Sequence, residues 1–322
     1  MIRSFMDSNV WDSEFGFINQ QEHFEKVWKD VENTTRLYMK DYTEHIRSNY
    51  ESEDINQAIL KHFKTLIDKH ETVHEKYYEL FNMEAMEEYE EDVDGFKGSI
   101  LSRQCTVIQK TLNSKSEALR DWKFKFKIST PQELYDTFYN IMTFAEEYEE
   151  KCKDLADETG LVEFDRLSDT GLDKLEEDGC YLQGVIGTGI LSTVLNALYP
   201  HRFPGQFKQG LYALYFLSER KTIDMGSGSS EFLMVKDDMK SKTGIIETEH
   251  NYYYPYHVFV LYTQKIHNLI NEYIYEHYGI RFPTEYRYVL TNDFYLFVTM
   301  CNKESIATLS GNDDINKFNQ SV

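Results

Sequence analysis

The sequence is poor in residues that interrupt helices. Its 322 residues include only five prolines and 16 glycines, so long stretches contain no helix breaker. Aromatic residues make up 15 % of the chain and hydrophobic residues together 41 %. This apolar content is sufficient for a folded core and excludes a disordered chain. A chain of this length suits two ordinary domains or one large helical body.

Cysteine pairs, a secretory signal and a membrane span are also missing. The chain has four separate cysteines and no CxxC pair, which argues against a disulfide framework and against a zinc knuckle. The first residues lack the apolar stretch of a signal peptide, and no run approaches the roughly 18 apolar residues of a membrane span. We therefore expect a cytoplasmic protein without a membrane partner.

Basic residues are in the minority. The 34 Lys and Arg residues are outnumbered by 55 Asp and Glu, and the formal net charge is −21. Such a surface repels nucleic acid at long range, so any contact with DNA requires a local basic patch. Two acidic runs, 84–94 and 146–158, fit either solvated helix faces or carboxylates that imitate phosphates for a basic partner.

Hydrophobic periodicity indicates a mainly α fold. From Gln20 to Leu112, apolar residues recur at steps of three and four, which predicts long amphipathic helices in a bundle. A helix is expected to begin at Pro131, because Thr130 can cap it and Glu133 can complete a capping box. Further helices are predicted at 190–199, 206–218, 255–277 and 284–301, with a short strand at 244–249.

One segment has a different period. In WKFKFKI at 122–128, aromatic and aliphatic residues alternate with lysines. A period of two predicts a short strand with one buried face. The lysines on its other face suit phosphate contacts, and equally an edge strand protected against aggregation. We therefore expect a helical bundle over 1–120, followed by a helical domain over 121–322 that contains a small β element.

The segment GVIGTGILSTVLNALYPHRFP at 184–204 combines three glycines with an apolar helix. No lysine stands at Walker spacing, and Ser192 occupies the third glycine position of a dinucleotide loop, so both nucleotide fingerprints are absent. A small-residue turn before a short helix is typical of helix–hairpin–helix segments, whose backbone N–H groups point at a DNA phosphate. It equally allows a tight turn and close helix packing.

These observations give a set of candidate DNA contacts. We place a helix–hairpin–helix-like segment at 184–218. The predicted phosphate-contacting residues are Gly187, Thr188, Gly189, Arg202 and Lys208, assisted by Lys123, Lys125 and Lys127.

The stretch GTGILSTVLNALYPHRFP at 187–204 and the later YPYHVFVLYTQKIHNLI and YVLTNDFYLFVTM also carry a family resemblance. Together, over residues of about 180–301, they resemble a helical region found beside the GTPase motor in McrB-type, modification-dependent restriction proteins and related phage-defence proteins. The chain shows no AAA+ GTPase motif. The resemblance implies a recognition or accessory module whose protein partner is a motor ATPase or nuclease of the same system.

HETVH at 70–74 matches the zinc-peptidase pattern HExxH. On a helix it places His70 and His74 on one face for zinc, with Glu71 as general base. The flanking residues are charged, however, which is typical of a solvated helix face, and no third ligand stands out. We therefore predict no metal and no cofactor.

Three functions remain open. The leading hypothesis is a non-catalytic recognition or accessory module in DNA restriction or phage defence. The alternative is an acidic, DNA-mimic-like interaction or inhibitor module that binds a basic partner. The third is a zinc-dependent hydrolase built on HETVH. No turn typical of a catalytic nucleophile occurs in the sequence.

Overall fold

The computed structural model describes residues 16–50, 54–156, 161–177, 179–220, 230–235 and 248–310. The fold is mainly α, as the sequence predicts. Its helices are α1 (Gln21–Asn49), α2 (Ile55–Phe81), α3 (Met83–Tyr89), α4 (Thr106–Asn113), α5 (Arg120–Ile128), α6 (Pro131–Leu155), α7 (Thr188–Leu198), α8 (Lys208–Leu217), α9 (Tyr256–Tyr278), α10 (Arg287–Cys301) and α11 (Lys303–Ser310). Shorter helical pieces include a π-helix at Phe96–Gln104.

The long N-terminal helices form where the sequence predicts them. In α1, Phe24, Val27 and Val31 are buried at steps of three and four, and the Phe24 ring packs on Tyr262 of α9 with centroids 4.4 Å apart. The α2 helix begins at Asp54, whose carboxylate accepts hydrogen bonds from the backbone N–H groups of Asn56 and Gln57.

The capping box before α6 is also confirmed. The Thr130 hydroxyl accepts a hydrogen bond from the Glu133 backbone N–H at 3.2 Å, and the Glu133 carboxylate accepts one from the Thr130 backbone N–H at 2.8 Å. Pro131 occupies the first helical position, where its missing N–H costs nothing. The helix therefore begins at the residue that the sequence indicates.

The predicted strand at 122–128 is wrong, because this segment is the helix α5. Trp122 and Phe126 lie four residues apart and stack with ring centroids 5.3 Å apart, while Phe124 and Ile128 point outward and are 62 % and 61 % exposed. Alternation puts all four on one face of a strand, but a helix separates them into two pairs. Burial of the Trp122–Phe126 pair selects the helix.

The C-terminal helices α7 to α10 lie within a few residues of their predicted bounds. One small sheet joins β1 (Leu233–Val235) to β2 (Thr248–His250) in antiparallel register, with Met234 opposite Glu249. Of the strand predicted at 244–249, only its last two residues are described, and both belong to β2. The first four lie outside the described residues.

One apolar core runs across the boundary predicted at 120–121. The α1 helix packs against α8 and α9, and α2 packs against α7 and α10. Helices from both sides of the boundary thus bury their apolar faces against one another. None of the helices in the described ranges is long and apolar enough to cross a lipid bilayer.

Buried polar side chains tie distant segments together inside this core. Arg287 of α10 donates from Nε to the His201 carbonyl oxygen at 2.7 Å and from Nη1 to the Glu163 carboxylate at 2.9 Å. Glu231 accepts hydrogen bonds from the Tyr254 hydroxyl at 2.7 Å and pairs with His23 of α1. These contacts satisfy groups that would otherwise be costly to bury.

Candidate functional site

The glycine-rich segment forms a tight turn before α7. Residues Leu182 and Ile186 form an isolated antiparallel bridge, and Gly184 between them has φ +72°, a conformation that favours glycine. Gly187 is the N-cap residue of α7 and has no side-chain cap. We call residues 182–187 the glycine turn. The sequence allows two roles for these glycines, a phosphate contact or a tight turn. The structure shows the tight turn.

The basic helix α5 packs on the glycine turn. The Trp122 indole Nε1–H donates to the Val185 carbonyl oxygen at 2.7 Å. The Lys125 side chain lies over Gly184, where a Cβ atom would come within 2.5 Å of its Nζ. The structure thus brings together two segments that the sequence analysis proposed separately as phosphate contacts.

The helix–hairpin–helix arrangement predicted at 184–218 differs from the observed one. The glycines precede α7, whereas α7 and α8 are joined by residues 199–207, which are mostly buried. The Pro204 carbonyl oxygen accepts a hydrogen bond from the Tyr256 hydroxyl, and the Gln206 N–H donates to Ser192. This connection is held inside the fold, so its backbone cannot reach a phosphate.

Arg202 is also wrong as a predicted DNA contact. Its side chain is 4 % exposed, and its Nε donates to the Glu149 carboxylate of α6 at 2.8 Å. His201 approaches the other carboxylate oxygen at 3.2 Å. Burial raises the pKa of Glu149, but the neighbouring His201 and Arg202 outweigh burial and lower it overall. Arg202 therefore stabilises the fold as half of an internal ion pair.

The three lysines of α5 do not share one face. Lys123 donates to the Ser114 carbonyl oxygen, and Lys125 lies on the glycine turn. Lys127 is exposed, on the same side of the helix as Lys123. Of the other candidates, Gly189 is exposed, Thr188 is buried, and Gly187 and Lys208 are half-buried. The exposed part of the predicted DNA-contacting set is therefore small.

The HETVH motif makes packing contacts. The Glu71 carboxylate accepts a hydrogen bond from the Tyr286 hydroxyl at 2.5 Å, and His74 Nδ1 donates to the Ala197 carbonyl oxygen at 3.0 Å. Burial, with His74 nearby, lowers the pKa of His70 to about 4. The charged flanking residues Asp68, Lys69, Glu75 and Lys76 are exposed, as expected, whereas the three motif residues themselves are half-buried. Within the described part of the chain, no three His, Cys, Asp or Glu side chains are placed to hold a metal ion.

The first acidic run forms a continuous exposed surface. Glu84, Glu87, Glu88 and Glu91 are all exposed and line an open depression of about 590 Å³ along α3 and the turn after it. We call these four residues the acidic face. They form no ion pair with another residue in the described ranges. Their charges are left uncompensated locally, unlike that of Glu149.

The second acidic run is partly neutralised. Glu149 pairs with Arg202, and Glu150 pairs with Lys153 at 2.6 Å. Glu146 is exposed and lines a smaller cavity. The last residues of this run, 157 and 158, lie outside the described residues.

That smaller cavity lies where α2, α3, α6 and α7 meet. Its volume is about 300 Å³, and its lining residues are His74, Tyr78, Phe81, Asn82, Met83, Glu84, Glu146, Leu198 and Tyr199. We call it the aromatic cleft. Glu84 belongs both to its wall and to the acidic face. No signal in the sequence predicts this cleft, because its walls come from four segments that no local motif connects.

Comparisons of the chain with family models, with curated proteins and with solved structures give no match. The resemblance of residues of about 180–301 to the helical region of McrB-type restriction proteins therefore stays a prediction from the residues alone.

Proposed function

We propose that this chain is a non-catalytic interaction module whose acidic face binds a basic protein partner. The observation that carries the proposal is the set of four exposed carboxylates on one short helix and its following turn, with no cation from the described residues paired to them. Glu84 and Glu88, four residues apart, repel each other along the helix. Such repulsion costs stability, and a cationic partner would relieve it.

The acidic face also differs from the second acidic run in its ion pairing. Glu149 and Glu150 are already paired within the fold, whereas the four glutamates of the acidic face have no ion-pair partner among the described residues. The net charge of −21 adds a long-range attraction for a basic protein and steers it towards the surface. The close contact would then be made where the carboxylates are dense and unpaired.

Binding of a labelled oligolysine peptide of about ten residues tests this proposal. The test variant is E84Q/E87Q/E88Q/E91Q. The matched control is E272Q/E276Q/E285Q/E304Q, which removes the same charge from exposed glutamates elsewhere. We expect the test variant to weaken binding at least about tenfold, which corresponds to about 1.4 kcal/mol. The control should change it no more than about twofold, through the long-range field.

Equal losses in the two variants would contradict the proposal. They would mean that oligolysine responds only to net charge and that the acidic face has no special role. Circular dichroism and thermal unfolding of both variants provide the folding control, since all eight substituted side chains are exposed.

A second candidate function is DNA binding, which is the leading hypothesis from the sequence. It is favoured by the packing of α5 on the glycine turn, which places Lys125 over Gly184 and close to the start of α7. A recognition or accessory role in DNA restriction or phage defence, beside a motor ATPase or nuclease, would rest on this contact. Lys123 is set aside because it donates to the Ser114 carbonyl oxygen, and the proposed contacts are reduced to the other exposed or half-buried members of the set, Gly187, Gly189, Lys125, Lys127 and Lys208.

Fluorescence anisotropy of a labelled duplex of about 20–30 base pairs, titrated at several salt concentrations, tests DNA binding. We expect binding that weakens with salt and falls several-fold in K125Q/K127Q. A duplex that stays unbound at low salt would remove this candidate and leave the protein partner.

A further inference from the structure

The aromatic cleft combines three rings with two carboxylates. His74 and Tyr78 of α2 stack with ring centroids 5.8 Å apart and an interplanar angle of 28°. Tyr78 is nevertheless 56 % exposed, so much of its ring surface is open to a ligand. Tyr199 contributes the third ring from the end of α7, and Leu198 adds apolar surface, whereas the Phe81 ring behind them is fully buried. The faces of such rings carry the negative part of the aromatic quadrupole and attract cations.

The charges around the cleft have the same sign. Glu84 lines it from α3 and Glu146 from α6, and both are exposed. The pKa of Tyr199 is raised to about 12 by burial and by the nearby Glu146 and Glu149, so its hydroxyl stays protonated and neutral. No lysine or arginine is among the residues that line the cavity.

The end of a helix adds to this negative potential. Leu198 is the last residue of α7, and Tyr199 is its C-cap residue. The carbonyl groups at a helix C-terminus carry a partial negative charge that favours cations. One of them, Ala197, accepts a hydrogen bond from His74 Nδ1, which fixes the imidazole at the wall of the cleft. In the neutral ring Nε2 is then a hydrogen-bond acceptor.

We propose that the aromatic cleft receives the cationic head of a lysine or arginine side chain from the basic partner. The inference rests on the proposed function, because the acidic face supplies the contacts around this anchor through the shared residue Glu84. The rings provide cation–π contacts, the carboxylates provide charge-assisted hydrogen bonds, and Leu198 packs against the aliphatic stem.

The size of the cleft agrees with a single side chain. A volume of about 300 Å³ lies at the lower end of ligand-binding pockets and suits an anchor residue better than a large cofactor. Basic side chains that enter an aromatic pocket at the centre of an interface frequently contribute much of the binding energy. The partner would thus have one buried cation and several peripheral ones over the acidic face.

NMR titration of the full chain with n-butylammonium and n-butylguanidinium tests the cleft, with n-butanol as the neutral analogue of the same length. Side-chain signals of Tyr78 and His74 report on binding. We expect saturable shifts with both cations and binding of n-butanol weaker by about fivefold or more. Y78L should weaken binding of the cations about threefold to tenfold, the range expected for an open cation–π contact. The control Y252L removes another exposed tyrosine, 43 % exposed against 56 % for Tyr78, from a different surface.

The outcomes separate the cleft from the acidic face. If the cations cause no saturable shifts while oligolysine still depends on the acidic face, the cleft inference is overturned and the proposed function stands. If n-butanol binds as well as the cations, recognition is apolar and the inference is also overturned. If binding of oligolysine does not depend on the acidic face, the proposed basic partner loses its support. The inference, which rests on that partner, is then overturned as well. Unchanged circular dichroism of Y78L excludes unfolding as the cause of a loss.

Discussion

The helices α3 and α5 are both short and densely charged, with opposite signs, and the fold uses their charges in opposite ways. In α5, Lys123 donates to a carbonyl oxygen and Lys125 lies against the glycine turn. On the acidic face, four glutamates project from α3 and its following turn without an ion-pair partner in the described ranges. In these two helices, Lys123 and Lys125 are engaged in internal contacts, while the four glutamates remain exposed.

This difference shows that a run of like charge in a sequence does not determine whether the charges can meet a ligand. Availability depends on the helix face and on what packs against it. The α5 helix buries Phe126, half-buries Trp122 and makes internal hydrogen bonds through Trp122 and Lys123, whereas α3 buries mainly Met86 and presents its glutamates to solvent.

The largest expected effect distinguishes the two faces of α5. F126A should cost about 3 kcal/mol or more, because Phe126 is 3 % exposed and its removal leaves a cavity against Trp122. F124A should cost below about 0.5 kcal/mol, because Phe124 lies in solvent. Chemical denaturation of both variants measures the two values. Equal costs would indicate a strand-like arrangement, in which both rings share one face.

The next effect contrasts a buried ion pair with an exposed one. R202M should destabilise the protein by about 2 kcal/mol or more, because Glu149 is 17 % exposed and would lose its closest cation. K153M breaks the exposed pair with Glu150 and should leave stability essentially unchanged. Urea unfolding at neutral pH compares them, and similar midpoints would contradict the internal role of Arg202.

The same pair predicts a pH dependence. The pKa of Glu149 in the folded protein lies below its ordinary value of 4.5, so its stabilising contribution is present above that pH. It is lost as the pH falls through the lowered pKa. The difference between wild type and R202M should therefore be largest at neutral pH and should narrow as the pH falls below that ordinary value.

A smaller effect concerns the glycine turn, on which α5 packs. G184A should cost about 1–2 kcal/mol, because its φ of +72° strains any residue with a Cβ, and Lys125 must also move. G189A is the matched control, since an added Cβ there meets no atom within 4 Å. We expect it to be neutral or slightly stabilising in thermal unfolding. A neutral G184A would show that the turn relaxes freely.

The smallest expected effect has the opposite sign. E88Q should stabilise the protein by about 0.3 kcal/mol at low salt, because it relieves repulsion from Glu84 and removes a negative charge near the C-terminus of α3. High salt should abolish the gain. If E88Q destabilises the protein instead, the carboxylate has an internal role. If E88Q stabilises the protein and also weakens oligolysine binding, the charge of Glu88 serves binding at the expense of stability.

The sequence predicts those features of the fold that local physics determines. The capping box at Thr130 and Glu133, and the steps of three and four that carry Phe24, Val27 and Val31, depend on neighbours within one or two turns. The segment 122–128 was mispredicted because its alternation also satisfies a helix in which Trp122 and Phe126 face inward. Only the tertiary contact with Val185 distinguishes the two.

The candidate sites depend on contacts that the sequence does not reveal. Arg202 pairs with Glu149, 53 residues away, and nothing near Arg202 in the sequence indicates this. Tyr78 and Tyr199 meet only because α2 packs against α7. The acidic run at 84–94 was visible in the sequence, but its exposure and the cleft beside it were not.

The packing of α1 against α8, α9 and α10 has a consequence for synthesis. About 240 residues separate the end of α1 at Asn49 from the start of α10 at Arg287. At about 5–20 residues per second, the ribosome needs roughly 12–50 s to supply that partner. Of the helices that pack on α1, only α2 is available until α8 begins at Lys208, and α9 and α10 follow later still. The nascent chain therefore depends on late contacts of high sequence separation, which favours slow final docking and transient protection by chaperones.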